Sequence, residues 1–377
     1  MKGRKKEEYS PLIGLEIEFH LIDKQGNIKN NADCLINDKE SSGYLFKELT
    51  HSMIEVICPP SNDISILAKN MKKELDNAVY LAQKHNVALV PSTTIGKCNP
   101  KKRKKPRYTK KEIILGKERR EMEYHICGTH VHIDKADDIV KQHTLITGLD
   151  PVFSLMSGSP FFKSVNHLKD YRVEMYRNVI FEKFPLNGAL LPYVKNEDEL
   201  EKRLTDSYNV WMKQCKIHGV DQEGFSRLNT CWGPVRFSEK TIESRSCDTN
   251  LFSKVMALAA FYAGLNRQLD NQDVELPDYK ALKYFENQGI RVGLENDQLK
   301  GYLSGLLKIA EQGLEEKEIE YLEPFKKSLR DKKNFSDEIT DFAYKQKLYD
   351  GVVIPKESAR EIRNYISECF IKDLNIY

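Results

Sequence analysis

Three short stretches of the chain each place a pair of charged or metal-ligating side chains two residues apart. The pairs are Glu16 with Glu18, His130 with His132, and Glu243 with Arg245. In each stretch polar residues alternate with apolar ones, which is the period of a β-strand. Since residues two apart on a strand point to the same face, each pair is predicted to share one face of its strand.

Paired carboxylates such as Glu16 and Glu18 repel each other unless a cation lies between them or one of them takes a proton. A single pair of this kind is more often a solvated strand face than a site. Three strands that each carry such a pair instead indicate the floor of a metal and phosphate site. Hard oxygen ligands select Mg²⁺ or Mn²⁺, and these ions keep open positions that substrate phosphates can fill.

Further residues are candidates for the same site. Glu48 and Glu55 lie seven residues apart, and each could equally be a solvated acid in a loop or at a strand edge. Arg177, Arg236 and Arg245 are candidates for bidentate contacts to phosphate or carboxylate oxygens. The sequence contains neither a P-loop nor a Rossmann glycine fingerprint, so a nucleotide would have to be held through metals and arginines over a sheet.

Composition and length define the class of protein. With 377 residues, 40 % apolar and 31 % charged, the chain has the composition of a soluble globular protein. No apolar run is long enough to span a membrane, and the basic start has no apolar stretch behind it, so no secretory signal is expected. Eight cysteines without a C-x-x-C spacing argue against a zinc framework and a disulfide scaffold, which favours the cytoplasm.

The elements that must position these side chains follow from periodicity and turn signals. Strands are predicted over 12–21, 48–58, 87–90, 127–133 and 241–246, and a returning strand could cover 28–37. Helices are predicted over 64–85 (capped by Asp63), 136–157, 166–183 and 197–217. The chain from residue 249 onward is predicted to be almost wholly helical. The stretch 227–236 is expected to neighbour the strand of Glu243. Cys127 is interpreted as a small buried hydrophobe rather than a nucleophile.

A basic run departs from the composition of its surroundings. Eight of the eleven residues from 101 to 111 are Lys or Arg. Such a run indicates either a nucleic-acid patch or a solvated loop that attracts anions. It contains one aromatic residue, Tyr108, and no stacking platform, which makes nucleic acid the less favoured interpretation.

Five motifs occur in the order and approximate spacing of a known family. They are G-L-E-I-E-F at 14–19, E-L-T-H-S-M-I-E-V at 48–56, C-G-T-H-V-H-I at 127–133, S-G-S-P-F-F at 157–162 and T-I-E-S-R-S-C-D at 241–248. This set resembles the second glutamate–cysteine ligase family of bacteria and archaea, carboxylate–amine ligases that are similar in fold and site to glutamine synthetase. The resemblance covers about residues 11–270.

The resemblance implies an α+β fold. Its sheet would be antiparallel and curved into a half-open catalytic funnel, with helices packed on the outer face. We expect a catalytic domain over 1–290, which includes a basic insert at 97–120, and a helical C-terminal extension over 291–377.

The resemblance also assigns roles to individual residues. The implied metal ligands are Glu16, Glu18, Glu48, Glu55, His130 and Glu243. The implied nucleotide or phosphate contacts are His132, Arg236 and Arg177, and the implied substrate contacts are Arg245 and Thr129. The implied catalytic residues are Glu55, Arg245 and Arg177.

The implied activity is ATP-dependent amide formation with Mg²⁺ or Mn²⁺ as cofactor. Glutamate or a similar carboxylate would be phosphorylated by ATP, and an amine such as cysteine would then displace phosphate. Two alternatives stay open: a phosphotransferase of the guanidino-kinase type, and a nucleic-acid-binding protein that uses residues 101–111. The expected partners are small molecules, without a membrane, and a homodimer is the default expectation from symmetry.

Overall fold

A seven-stranded sheet, antiparallel at every pairing, organises the part of the chain that the structure describes. The computed structural model describes residues 9–93, 96, 98–162, 168–271, 274–349 and 353–377. The strands are β1 Ile13–Ile22, β2 Leu45–Lys47, β3 Met53–Ile57, β4 Ala88–Val90, β5 Gly128–Asp134, β6 Val235–Phe237 and β7 Thr241–Asp248. Their order across the sheet is β2-β3-β1-β5-β7-β6, and β4 pairs with the end of β1.

Helices make up most of the remaining described chain. They are α1 Ala32–Ile36, α2 Ile64–Lys84, α3 Pro106–Leu115, α4 Lys117–Glu123, α5 Ile139–Gly148, α6 Phe153–Met156, α7 Tyr171–Glu174, α8 Pro185–Gly188, α9 Glu197–Ile217, α10 Phe252–Arg267, α11 Tyr279–Arg291, α12 Asp297–Gln312, α13 Glu316–Ile319, α14 Glu323–Asp331, α15 Phe335–Lys345 and α16 Lys356–Ile376. Short 3₁₀ turns cover Asp150–Val152, Gly293–Glu295 and Glu320–Leu322, and a π-helical segment covers Met175–Ile180. None of the described helices is long and apolar enough to cross a membrane.

The central strand β1 separates the two faces of the sheet. Leu15, Ile17 and Phe19 are buried in the main hydrophobic core. The alternate residues Glu16 and Glu18 therefore lie on the opposite face. This alternation is what the sequence predicted, and it fixes which side of the sheet can carry polar chemistry.

Helix α10 is the centre of the core behind the sheet. All of its residues from Phe252 to Asn266 are buried, as expected for a helix that is surrounded by other elements on every side. The Tyr262 and Ser244 hydroxyls form a 2.7 Å hydrogen bond that joins α10 to β7. The α+β class with a helix-covered antiparallel sheet is confirmed.

The basic stretch is not an open loop. Its helical part, α3 and α4, packs on a second hydrophobic cluster to which Ile114, Leu115 and the aromatic rings of Trp211 and Phe225 contribute. Trp211, which lies on α9, is fully buried.

The C-terminal helices share the main core with the sheet. Buried residues of α12, α14 and α16, such as Leu303, Phe325 and Phe370, belong to the same hydrophobic cluster as the β1 side chains. The division of the chain at residues 290 and 291 stays a prediction.

Some local predictions are confirmed and others are wrong. Helix α9 has the predicted bounds, and Asp63 caps α2 by accepting hydrogen bonds from the backbone N–H groups of Ser65 and Ile66. The returning strand at 28–37 is wrong, because this stretch forms a single bridge at Ile28 and then the helix α1. The helix predicted over 136–157 is interrupted at Pro151, which cannot donate a backbone hydrogen bond.

Candidate active site

The polar face of the sheet brings seven of the predicted residues together. Three groups of three side chains each have ligand atoms that lie within 4.8 Å of one another. The groups are Glu16, Glu55 and His130; Glu16, His132 and Glu243; and Glu18, Glu48 and Glu55. Because Glu16 and Glu55 each belong to two groups, the three groups form one continuous cluster.

The strand register explains this convergence. Glu18 lies directly opposite Glu55 on β3, Glu16 lies opposite His130 on β5, and His132 lies opposite Glu243 on β7. Four adjacent antiparallel strands thus place their site residues side by side.

Imidazoles surround Glu16. The Nδ1 atom of His130 lies 3.1 Å from one Glu16 oxygen, and the Nε2 atom of His132 lies 3.0 Å from the other. Burial opposes ionisation of Glu16, but its contacts with His130 and His132 hold its pKa below the ordinary value. Burial and the Arg245 charge lower the pKa of His130, which leaves its imidazole neutral, as a metal ligand must be.

Two acids of the third group, Glu48 and Glu55, lack such compensation. Burial and the charges of neighbouring carboxylates, chiefly Glu18, raise the pKa of Glu48 to about 8. Burial and the charges of Glu48, Glu16 and Glu18 raise the pKa of Glu55 to about 10. Carboxylates crowded this closely are stable in their charged form only when cations lie among them. This donor set of hard oxygens with imidazoles therefore fits divalent metal ions.

Two guanidinium groups border the cluster at Glu243. Nε of Arg236 donates a 2.6 Å hydrogen bond to one Glu243 oxygen, and Arg245 pairs with the other oxygen. Burial would raise the pKa of Glu243, but the charges of Arg245 and Arg236 lower it overall. The predicted proximity of 227–236 to this strand is confirmed, since β6 pairs with β7.

The role predicted for Thr129 does not fit the structure. Thr129 lies opposite Ile17 in the register of β1 and β5, so its side chain points to the helix-covered face and is fully buried there. Because residues alternate along a strand, the neighbour of His130 has to point away from the site.

The role predicted for Arg177 is not supported by its surroundings either. Its two terminal nitrogens each donate a 2.8 Å hydrogen bond to Asp150, and they also contact Ser246 and Glu286. Arg177 is therefore buried in a network of ion pairs and hydrogen bonds, and its role in phosphate binding stays a prediction.

Arg172, which was not among the predicted site residues, lies beside the cluster. Its Nη2 lies 3.3 Å from Nε2 of His130 and donates a 2.9 Å hydrogen bond to the Arg245 carbonyl oxygen. The chain carries Tyr-Arg twice, at Tyr171-Arg172 and at Tyr176 followed by Arg177. Sequence alone gives no signal that separates the two arginines.

Most of the basic run is engaged within the protein. Arg103 forms two hydrogen bonds with Asp33, Arg107 donates to the Asn229 carbonyl, and Lys102 and Lys110 pair with acids. Lys111 is buried, lies 2.8 Å from Glu123 and sits 4.1 Å from the centre of the Trp232 ring. Among the described residues of the run, only Lys101, Lys104 and Lys105 are exposed and form no ion pair.

Some residues of the motifs lie outside the ligand cluster and stabilise its surroundings. Asp248, at the end of β7, accepts hydrogen bonds from the Gly158 N–H group (2.9 Å) and the Ser159 hydroxyl (2.6 Å). Cys127 is fully buried, and burial raises the pKa of its thiol well above the ordinary value. This agrees with its interpretation as a small buried hydrophobe.

Comparisons with known proteins identify the family. The model of glutamate-cysteine ligase family 2 (GCS2) matches residues 12–362. No curated protein matches the sequence. A glutamate–cysteine ligase from Francisella tularensis, solved in complex with AMP, is 14% identical with a TM-score of 0.63, over 96% of this chain and 89% of that chain.

A bifunctional glutathione synthetase from Pasteurella multocida is 12% identical with a TM-score of 0.61. The comparison covers 96% of this chain and 53% of that one, so the chain spans about half the length of this relative. At these identities both structures show a shared fold, while the family match extends over nearly the whole chain. The chain therefore belongs to glutamate–cysteine ligase family 2, a family of ATP-dependent carboxylate–amine ligases.

Proposed function

We propose that this protein joins the γ-carboxylate of glutamate, or of a similar acid, to an amine with consumption of ATP. The observation that carries the proposal is the continuous cluster in which Glu16 and Glu55 are shared by neighbouring ligand groups, with Arg236 and Arg245 at its edge. A reaction between an anionic carboxylate and a polyanionic triphosphate demands positive charge at the phosphoryl group, which metal ions held by such a cluster would supply together with the two guanidinium groups.

Mg²⁺, or Mn²⁺, is the cofactor that the donor set fits. The residues that would hold it are Glu16, Glu18, Glu48, Glu55, His130 and Glu243, with His132 at the edge of the cluster. Bound there, it would neutralise phosphate oxygens.

The guanidinium groups have the second role. In the first step a carboxylate oxygen of the substrate attacks the γ-phosphorus of ATP, the bond to ADP breaks, and an acyl phosphate forms. Arg236 and Arg245, at the edge of the cluster, would stabilise the charge on the transferring phosphoryl oxygens. In the second step the amine attacks the acyl carbon and phosphate leaves. Glu48 or Glu55 can accept the proton that the amine loses where its carboxylate is not fully occupied by a metal ion, because an ionised carboxylate can act as a general base.

The described residues argue against the nucleic-acid alternative but are compatible with the phosphotransferase alternative. The nucleic-acid alternative loses support because Lys102, Arg103, Arg107, Lys110 and Lys111 already have partners within the protein. A guanidino-kinase-type phosphotransferase could use a similar cluster. Its products would be ADP and a phosphorylated acceptor, without free phosphate.

The test measures all products of one reaction. The protein is incubated with ATP, Mg²⁺ and glutamate against a panel of amines that begins with cysteine, and ADP, phosphate and amide are quantified together. A ligase gives the three in equal amounts and only when both substrates are present. ADP with a phosphorylated acceptor and no free phosphate would indicate the phosphotransferase, and no turnover with any pair would contradict the proposal for glutamate.

A matched pair of variants ties the activity to the cluster. We expect Glu16→Gln to lower turnover to below about a hundredth of wild type, because several kcal/mol of charge stabilisation depend on the cluster. Glu361→Gln makes the same chemical change at an exposed position of α16 and should retain full activity. Full activity in a folded Glu16→Gln protein would contradict the assignment of the cluster.

A further inference from the structure

Strand β7 contains a β-bulge at Arg245. Where β5 has one residue, His130, the facing part of β7 has two, Arg245 and Ser246. A bulge bends its strand and changes the direction of the side chains beside it. The direction of the Arg245 guanidinium therefore depends on what holds the bulge in place.

The backbone of Arg245 is held by residues that do not belong to β5. Its N–H group donates a 2.9 Å hydrogen bond to the Pro234 carbonyl oxygen. Its carbonyl oxygen accepts the 2.9 Å hydrogen bond from Nη2 of Arg172. The second residue of the bulge, Ser246, is held through its side chain instead.

A buried ion network binds the Ser246 hydroxyl. This hydroxyl donates a 2.5 Å hydrogen bond to Asp150 and accepts one of 2.7 Å from Nη2 of Arg177. Arg177 also donates to both Asp150 oxygens and lies 3.1 Å from Glu286 of α11. Asp150, Arg177 and Glu286 are each at most 5% exposed. Among the described residues, Ser246 is the one residue of the sheet whose side chain bonds to this network.

A buried ion network of this kind fixes positions more than it adds stability. Burying charged groups costs desolvation free energy, and apolar side chains of the same volume are often at least as stabilising. Once the network has formed, a member that moves leaves a buried charge unpaired. The network therefore resists displacement of the Ser246 hydroxyl.

We propose that Asp150, Arg177 and Glu286 are positioning residues, which act through Ser246 to fix the bulge and so direct the Arg245 guanidinium at the transferring phosphoryl group. The proposal rests on the proposed function, which gives Arg245 its contact with that group. Precise placement matters there, because a displacement of about 1 Å in a reacting complex can cost on the order of a hundredfold in rate.

A double-mutant cycle on nucleotide binding tests the proposal without requiring turnover. Ser246→Ala removes the link to the network, and Arg245→Lys keeps the charge but removes the planar donor fork. Dissociation constants for ADP and for a non-hydrolysable ATP analogue are measured with Mg²⁺ in wild type, both single variants and the double variant. The two nucleotides differ in the γ-phosphoryl group, which is the group assigned to Arg245.

We expect Ser246→Ala to raise the Kd of the analogue about tenfold and to leave the Kd of ADP within about twofold, since coupled residues share an effect of this size. In the Arg245→Lys background the same change should have an effect below about twofold, because the guanidinium that it displaces is absent. Asp150→Asn leaves one acceptor oxygen for three donors and should reproduce the selective loss of the analogue.

Ser244→Ala is the matched control. It removes a buried serine hydroxyl from the same strand, but this hydroxyl bonds to Tyr262 of α10 and not to the ion network. It should bind both nucleotides as wild type does.

The proposal is wrong if wild type does not bind the analogue, or if folded Ser246→Ala binds it as wild type does. It is also wrong if Ser246→Ala weakens the analogue by the same factor in both backgrounds, or if Ser244→Ala has an equal effect. The expected binding pattern in a protein that joins no carboxylate to any amine would contradict the proposed function and leave the positioning role standing.

Discussion

At the scale of single residues, the crowded acids of the site destabilise one another's charged forms. In the metal-free protein Glu48 has a pKa of about 8 and Glu55 a pKa of about 10, against an ordinary value of 4.5. Between pH 4.5 and about pH 8, both carboxyl groups are charged in the unfolded chain and protonated in the folded chain. The two groups therefore reduce the free energy of unfolding progressively as pH rises from 4.5 towards 8 and beyond.

The same protonation makes metal binding depend on pH. A divalent ion has to displace protons from Glu48 and Glu55, so its apparent affinity should rise between pH 6.5 and pH 8.5. Mn²⁺ titrations followed by electron paramagnetic resonance measure this directly. The variant Glu48→Gln should show weaker binding with a smaller pH dependence. An affinity that is independent of pH in wild type would contradict the assignment of these acids as ligands.

Thr129 provides the opposite test. Its hydroxyl is buried on the helix-covered face without a hydrogen-bond partner among the described residues. Thr129→Val removes that polar group at nearly constant volume, so we expect unchanged activity and an unfolding free energy equal to or above that of wild type. Chemical denaturation and the product assay check both. A large rise in KM for either substrate would restore the substrate-binding role that the sequence indicated.

At this scale, strand alternation is the sequence signal that predicted which site residues share a face of the sheet. A period of two identifies which residues share a face, and this brought Glu16, Glu18, His130, His132 and Glu243 into one cluster. Alternation also excludes Thr129, which the family resemblance had included. The two Tyr-Arg pairs are indistinguishable in sequence, because their roles depend on buried acids that come from distant segments.

At the scale of elements, close packing between α10 and α12 depends on glycine. A Cβ at Gly264 would lie 2.2 Å from the Ala310 carbonyl oxygen, whereas nothing lies within 4 Å of a Cβ at Gly301 on α12. Gly264→Ala should destabilise the protein by about 1–3 kcal/mol through overpacking. Gly301→Ala should stabilise it by about 0.5–1 kcal/mol, because alanine loses less backbone entropy in a helix. Equal effects in denaturation experiments would contradict the described contact.

Elements were predictable where one local signal dominates. Helix α9 has strong amphipathic periodicity, and the Asp63 cap marks the start of α2. The stretch 28–37 was not predictable in the same way, because it is short and its α1 helix depends on neighbours from β2, β3 and α2. In the basic run the local sequence signal is charge. The burial of this run depends on acids and aromatic rings that are distant in sequence, so the local sequence does not predict it.

At the scale of the whole molecule, sheet and C-terminal helices share one core. Leu303, Phe325 and Phe370 pack in the same cluster as Ile17 and Phe19. We therefore expect a single cooperative thermal transition, with equal calorimetric and van't Hoff enthalpies. Two separated transitions would show instead that residues 291–377 fold as an independent unit.

The central claim concerns the path of one oxygen atom. Glutamate labelled with ¹⁸O in its γ-carboxylate is incubated with ATP, Mg²⁺ and the amine that supports turnover, and the phosphate is analysed by mass spectrometry. If the carboxylate attacks the γ-phosphorus and the amine then displaces phosphate, one labelled oxygen leaves with each phosphate released. We predict this transfer in wild type and its loss with turnover in Glu16→Gln. Phosphate free of label, formed together with amide, would contradict the acyl phosphate path.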